Sequence, residues 1–209
     1  MSEPLTIVEG IAAPLPLKNV DTDIIWPGLP GLSLRRGDQA RNAFARLRFD
    51  PEGAERPDFI LNQLPWREAK ILVAGSNFGC GSSREMAVWG LVEWGMRCVI
   101  APSFGDIFFN NACLNGLLPV ILPENAVEAI LATITDPERS VLKVDLVAMR
   151  VTGSGFNLPF MLDEHRRRCL LHGLNETGAT LQQIETVRSF GKSYADRFPW
   201  TRIEGEKIA

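Results

Sequence analysis

Short apolar runs alternate with helical patterns through the middle of the chain. Three runs rich in branched residues, 70–74, 98–101 and 119–122, are typical of strands buried on both faces. The segment 124–134 has apolar side chains spaced i, i+3, i+4 and i+7, which predicts an amphipathic helix. Strands and helices that alternate with short connections predict a parallel sheet with crossover helices.

Two more helices are predicted between these strands. The first begins at a serine cap, Ser82 or Ser83, and runs to Met96. Its apolar residues lie nearly all round the helix, which favours deep burial or cover by another chain. The second runs from about Asp106 to Asn115, and Gly116 stops it.

The pattern changes in the last third of the chain. Residues 141–151 alternate between apolar and polar positions, and a Gly-Ser-Gly turn at 153–155 leads into 156–162. This pattern predicts an antiparallel hairpin beside the parallel sheet. Further helices are predicted over about 165–171 and about 181–194. The fold class predicted from the pattern is therefore α/β with a mixed sheet.

The chain has 209 residues, a length that suits one domain over residues 1–209. Its first 65 residues carry many of the 14 prolines, and they predict a proline-rich loop over about 24–57. Long irregular loops in compact domains are typically functional or mobile.

Composition excludes several classes of function. The net charge of −3 provides no basic surface for nucleic acid or an anionic membrane. The first residues show no secretory signal, and no apolar run approaches the ~20 residues that span a bilayer. We expect a soluble, cytoplasmic protein that binds neither nucleic acid nor membrane.

The cysteines are widely scattered. No two of them form a C-x-x-C pair, and neither histidine lies near a cysteine in the sequence. A zinc or iron–sulfur site within one chain normally needs clustered thiolates. We therefore expect no metal site in this chain alone. The cysteines are Cys80, Cys98, Cys113 and Cys169.

A loop rich in glycine and serine, GSNFGCGSSRE at 75–85, leads from the first predicted strand into a helix. Backbone N–H groups and the helix dipole attract anions at such a position, and Arg84 adds a planar fork for a carboxylate or phosphate. Ser82 in that positive potential is a candidate for proton transfer. Alternatively, Ser82 or Ser83 only caps the helix and Arg84 pairs with a surface carboxylate. The loop has neither P-loop nor dinucleotide-binding spacing.

A second candidate is the segment NVDTD at 19–23. Asp21 and Asp23 suit acid–base or orienting roles, but an Asx turn explains them equally well. Arg35 and Arg36 lie downstream and offer a second carboxylate clamp, or else a solvated face.

Taken together, these and other segments resemble the small subunit of 3-isopropylmalate dehydratase, in the aconitase superfamily. The resemblance spans nearly the whole chain and implies a swivelling β/β/α domain, in agreement with the mixed sheet. It also implies that the chain is half of an enzyme. In this family a separate large subunit holds a [4Fe–4S] cluster through three cysteines, the active site forms between the subunits, and the small subunit alone binds no cofactor. The matching segments are NVDTDIIWP (19–27), DFILNQ (58–63), NFGCGSSRE (77–85), VIAPSFGDIFFNNACLNGLLPVILP (99–123) and CLLHGLNETGATLQ (169–182).

The resemblance implies roles for the residues around the glycine-rich loop. Ser82 matches the catalytic base, which takes a proton from the carbon next to a substrate carboxylate. Ser83 and Arg84 match residues that bind that carboxylate.

Further roles are implied for the first two segments. Thr22 and Asp23 match an active-site pair in contact with the substrate site, with Asp23 orienting a group on the large subunit. One of Arg35 and Arg36 matches a substrate-contacting arginine.

The resemblance implies a hydro-lyase, active only with its large subunit, that reversibly dehydrates and hydrates a small dicarboxylate. The expected reaction is the interconversion of 3-isopropylmalate and 2-isopropylmalate in leucine biosynthesis. Departures from the family pattern favour an alternative diacid, of the methylmalate, citraconate or dimethylmaleate type. Met86 and Val88 stand where the family commonly has His and Pro, and Trp26–Gly31 lengthens a loop on the substrate side. We expect Met86 to pack against the core. A non-catalytic, anion-binding regulatory module is the alternative class.

Overall fold

The computed structural model describes residues 3–28, 35–81 and 83–201, and strands of one mixed sheet form the centre of this described part. The strands are β1 (Ile7–Leu15), β2 (Ile71–Ala74), β3 (Cys98–Ala101), β4 (Leu118–Ile121), β5 (Val141–Asp145), β6 (Arg150–Gly153) and β7 (Phe156–Pro159). Their order across the sheet is β4-β3-β2-β1-β5-β6-β7.

Helices cover both faces of this sheet and extend beyond it. They are α1 (Thr22–Ile25), α2 (Ala45–Arg48), α3 (Glu85–Trp94), α4 (Asp106–Leu114), α5 (Glu124–Ile134), α6 (Glu164–His172), α7 (Glu176–Leu181) and α8 (Ile184–Arg197). Short 3₁₀ turns lie at Ala40–Asn42, Ile60–Asn62, Trp66–Glu68, Pro137–Arg139 and Pro199–Thr201.

The parallel half of the sheet confirms the alternation of strands and helices predicted from the sequence. β1, β2, β3 and β4 are parallel neighbours. Alternate residues of β2 enter two different apolar clusters, Leu72 on one face and Ile71 on the other. Because helices or other segments bury both faces, these strands appear in the sequence as continuous apolar runs.

The antiparallel half is larger than the predicted hairpin. β1 pairs with β5 in the antiparallel sense, and β5, β6 and β7 form a three-stranded meander. The segment predicted as one strand over 141–151 is interrupted by a turn, in which the Asp145 carboxylate accepts hydrogen bonds from the N–H groups of Val147 and Ala148 at 2.9 and 2.7 Å. These hydrogen bonds stabilise a turn after β5, so the chain reverses direction before β6 begins at Arg150.

Two helical predictions needed correction. α3 ends at Trp94, because Gly95 follows in the left-handed region at φ +108°. The helix predicted over about 181–194 corresponds to α8, which begins and ends about three residues later, and α7 before it was not predicted.

Burial within the domain accounts for the apolar surface of α3. Val88 and Leu91 are fully buried, and Met86 and Trp94 pack against the same apolar cluster. The expected packing of Met86 is therefore confirmed. The described part of the proline-rich segment over 24–57 covers this helix, and it includes the fully buried Phe44.

α8 has an exposed aromatic face. Phe190 and Trp200 are 65% and 78% exposed, and a continuous series of ring contacts joins them through Tyr194 and Phe198. In the described part of the chain, no helix is long and apolar enough to cross a membrane.

Candidate active site

The loops that follow β1 and β2 pair side by side at the carboxyl edge of the parallel strands. The Gly79 N–H donates to the Val20 carbonyl at 2.7 Å, and the Thr22 N–H donates to the Cys80 carbonyl at 3.0 Å. The two candidate segments of the sequence, 19–23 and 75–85, are thus joined by backbone hydrogen bonds. Ligands of α/β proteins characteristically bind at this edge of the sheet.

The loop after β3 completes the arrangement on the other side. The Phe78 N–H donates to the Ser103 carbonyl at 3.0 Å, and the Gly105 N–H donates to the Phe78 carbonyl at 2.9 Å. We call the three paired segments, 17–23, 75–81 and 103–105, the loop junction. Its backbone groups satisfy one another, which holds 75–81 in a fixed position between its neighbours.

Glycine is required where these loops come closest. A Cβ at Gly105 would lie 2.6 Å from the Gly79 carbonyl oxygen and 3.0 Å from Cys80 Cα. At Gly79, where φ is +72°, a Cβ would lie 2.2 Å from Phe108 Cγ. These contacts are shorter than van der Waals separation, so a side chain at either position must displace the junction.

We expect Gly105→Ala to destabilise the protein by about 1–3 kcal/mol, the usual cost of overpacking. The backbone at Gly105 has φ −66°, which alanine adopts readily, so the cost comes from the clash and from the lower preference of alanine for the N-cap of α4. Urea unfolding measures it. Gly191→Ala in α8 is the control, because no atom lies within 4 Å of a Cβ there. If the two variants unfold at the same urea concentration, the close packing at Gly105 is contradicted.

Arg84 and Asp23 form an ion pair across the junction. Their side chains are 34% and 46% exposed, while the Arg84 nitrogen that contacts Asp23 is itself buried. Asp23 is the second residue of α1, whose N-cap is Asp21, and the Asp21 carboxylate accepts from the Ile24 N–H at 2.7 Å. Asp21 therefore bonds the local backbone as a helix cap, a role close to the predicted Asx turn, while Asp23 contacts Arg84.

Arg84 itself occupies the N-cap position of α3, so the predicted serine cap is wrong. The helix begins at Glu85, and Ser83 precedes it as an exposed residue. Ser82 lies outside the described residues. Thr22, which precedes Asp23 in the chain, is 1% exposed, so its side chain is buried.

The two arginines of the proline-rich segment differ in their surroundings. The Arg36 guanidinium lies 4.4 Å from the centre of the Trp89 ring, 4.0 Å from a Glu85 carboxylate oxygen, and within hydrogen-bond distance of the Asn115 side chain. Arg36 is therefore held on α3, beside Glu85, which follows Arg84. Arg35 is exposed, and its carbonyl accepts a hydrogen bond from the Gln39 side chain.

Asn115 contacts Arg36, Trp89 and Glu85 at once, although no pattern in the sequence identified it as a site residue. Its Oδ1 accepts from Trp89 Nε1 at 3.1 Å, and its Nδ2 donates to Glu85 Oε1 at 2.8 Å. Asn115 follows α4 and precedes Gly116, which is a usual position for an asparagine that ends a helix. Nothing in the neighbouring sequence therefore indicates that it also contacts α3.

The loop after α1 begins with a residue that is part of the protein interior. Trp26 is 3% exposed, and its Nε1 donates to Gln39 Oε1 at 2.8 Å in the interior. Gly28 is exposed, and residues 29–31 of the predicted substrate-side loop lie outside the described residues.

The described residues do not fit an iron–sulfur cluster. Within these residues, no three histidine, cysteine, aspartate or glutamate side chains are placed to hold a metal ion. Cys98, Cys113 and Cys169 are buried and Cys80 is partly exposed, all as free thiols. Burial raises the pKa of Cys98, and it raises that of Cys113 to about 12, which favours the protonated thiol over the metal-binding thiolate.

Comparison with known proteins gives a consistent result. The aconitase C-terminal domain matches residues 2–125. The 3-isopropylmalate dehydratase small subunit of Rhodospirillum centenum is 47% identical, over 95% of this chain and 98% of that protein. The same subunit of Rhodospirillum rubrum is 46% identical over 96% and 98%. A crystal structure of 3-isopropylmalate dehydratase from Methanocaldococcus jannaschii matches with a TM-score of 0.63 and 27% identity, over 88% of this chain and 98% of that one.

Proposed function

Because the chain belongs to the family of 3-isopropylmalate dehydratase small subunits, in the aconitase superfamily, we propose that its loop junction forms one side of an active site shared with a large subunit. The chain is the small subunit of a hydro-lyase in leucine biosynthesis. The Arg84–Asp23 pair carries the proposal, since it places a guanidinium at the edge of the sheet where ligands bind.

Arg84 binds a substrate carboxylate in this proposal. A guanidinium has five N–H donors in one plane, and in the described part of the chain the ion pair with Asp23 joins one of its terminal nitrogens. In the proposal other donors of the group bind the anion, and Asp23 fixes the plane of the group before substrate arrives. Such preorganisation lowers the cost of binding in the correct orientation.

Ser82 is the proposed proton acceptor, and Ser83 a second carboxylate ligand. Ser82, as its alkoxide, takes the proton from the carbon next to the bound carboxylate and becomes a neutral hydroxyl group, which returns the proton in the hydration direction. Arg84 and the start of α3 contribute positive potential, which stabilises the serine alkoxide before the transfer and the negative charge that develops on the carbon during it. Ser83 precedes Arg84 and is exposed, and in the proposal it donates a hydrogen bond to the same carboxylate.

The remaining residues are assigned by their surroundings. Thr22 is buried, so we assign it to support Asp23, which is exposed enough to orient a group on the large subunit. Either Arg35 or Arg36 provides the substrate contact of this segment in the proposal, and Arg36 also packs on α3.

A partner subunit and its cofactor complete the proposed enzyme. An aconitase-type dehydratase implies an iron–sulfur cluster on the large subunit, and we place all cluster ligands there. Such a cluster supplies a Lewis acid for the departing hydroxyl group. The exposed aromatic face of α8 supports the presence of a protein partner, because soluble monomers rarely expose large apolar patches. The free thiols suit the cytoplasm, where we place the enzyme.

Anaerobic coexpression with the large subunit tests the proposed function. Isopropylmalate, citramalate, citraconate and dimethylmaleate are assayed by the ultraviolet absorbance of the unsaturated diacid, with each subunit alone as control. We expect isopropylmalate to have the highest kcat/KM, by roughly 10-fold or more, because apolar contacts discriminate substrates on that scale. A different best substrate would assign the chain to the alternative diacid, and absence of turnover with all four would favour the anion-binding module.

A further inference from the structure

Three side chains on one face of α3 contact the segment 36–39. Glu85, Trp89 and Glu93 are spaced i, i+4 and i+8, so they form one row along the helix. Glu85 and Trp89 contact the Arg36 guanidinium, as described above. Glu93, at the other end of the row, contacts the backbone of the same segment.

The Glu93 carboxylate accepts two backbone hydrogen bonds, one on each oxygen. The Gly37 N–H donates to Oε1 at 2.8 Å, and the Gln39 N–H donates to Oε2 at 2.5 Å. Hydrogen bonds to an ionised acceptor are roughly twice as strong as neutral ones. Gly37 has φ +96°, so the turn that aims these N–H groups at one carboxylate depends on glycine.

Gln39 extends the connection to the first segment of the loop junction. Its side chain is fully buried, and its Oε1 accepts from Trp26 Nε1 at 2.8 Å and from Asn42 Nδ2 at 3.3 Å. Trp26 follows α1, the helix that carries Asp23. The segment 35–39 is thus tied to α3 by Glu93 and to the end of α1 by Gln39.

We infer that Glu93 is a positioning residue for substrate binding, which acts by fixing 35–39 on α3. This inference rests on the proposed function of the Arg84 site. The fixed segment keeps the Arg36 guanidinium beside Glu85, the residue that follows Arg84. It also holds Arg35 at the start of the same turn. Glu93 itself is at the opposite end of α3 from Arg84, so it acts on the substrate only through this segment.

Glu93→Gln in the assembled two-subunit enzyme tests the inference. Glutamine keeps the shape of the side chain but loses the charge and one of the two acceptor oxygens. We expect KM for the diacid to rise about 5–10-fold while kcat stays within twofold, because the segment binds the ground state and the transition state alike. Glu93→Asp, which keeps both acceptors, should restore part of the loss. Glu138→Gln, at an exposed position outside the site, is the matched control.

Hydrogen exchange of the same complexes provides a readout that does not depend on turnover. The peptide that contains Gly37 and Gln39 should exchange at least several-fold faster in Glu93→Gln than in the wild type. Faster exchange with an unchanged KM, or unchanged exchange, would overturn the inference. An inactive wild-type complex would instead contradict the proposed function, and exchange would still decide whether Glu93 fixes the segment.

Discussion

Replacing Arg84 by lysine is expected to lower kcat/KM of the assembled enzyme by about 100-fold. Lysine keeps the positive charge but loses the planar fork that binds a carboxylate through two parallel hydrogen bonds. A hydrogen bond to a charged group contributes roughly 1.5–3 kcal/mol, which corresponds to about 10- to 150-fold in rate or affinity. Steady-state kinetics with isopropylmalate measures the effect, and Arg84→Ala should lose about 10-fold more.

A matched control separates this effect from a general loss of arginine. Arg150 lies on β6 and bonds to Asn157, outside the loop junction, so Arg150→Lys should leave kcat/KM within twofold. Asp23→Asn tests the partner of Arg84. We expect a smaller loss, about 10-fold, that is less than additive with Arg84→Lys, because residues in contact do not act independently. If Arg84→Lys retained wild-type kinetics, carboxylate binding by the guanidinium fork would be excluded.

The sequence predicts the parallel half of the fold well, because burial on both faces leaves short apolar runs whose length and branched residues favour strands over helices. The strand β1 was not predicted from the sequence, for a physical reason. It contains Pro14, which cannot donate a hydrogen bond to the sheet, and it lies within a proline-rich region. One half of β1 pairs in the parallel sense with β2 and the other half pairs antiparallel with β5, and no local pattern specifies that change.

The sequence predicts the individual motifs of the candidate site, but it does not predict how those motifs are arranged in space. Arg84 and Asp23 were both identified in the sequence, whereas their ion pair depends on the backbone pairing of two distant loops. A usable signal was nevertheless present in α3. Glu85 and Glu93 are polar residues at i and i+8 of a helix that is otherwise apolar, and a polar row of that kind indicates a contact to be satisfied. Local propensities cannot show that the partner is the segment 36–39, because that contact is long-range.

The largest effect is expected from Ser82→Ala, which should lower kcat by about 10²- to 10⁴-fold, the usual contribution of a positioned proton acceptor. KM should stay within a few-fold, because Arg84 and Ser83 still bind the carboxylate. Ser83→Ala is the matched control: it removes the neighbouring hydroxyl group and should raise KM about 3- to 10-fold with a much smaller change in kcat. Kinetics of the coexpressed complexes, with the ultraviolet assay above, measures both variants.

Exchange of substrate hydrogen with deuterated solvent locates the step that Ser82→Ala slows. If Ser82 accepts the proton, exchange at the carbon next to the carboxylate should fall in parallel with kcat, whereas Ser83→Ala should leave the ratio of exchange to turnover unchanged. Size-exclusion chromatography of each complex verifies that the subunits remain associated. An associated Ser82→Ala complex with wild-type turnover would contradict the proposed base and favour the anion-binding module, because proton abstraction would then need no group at this position.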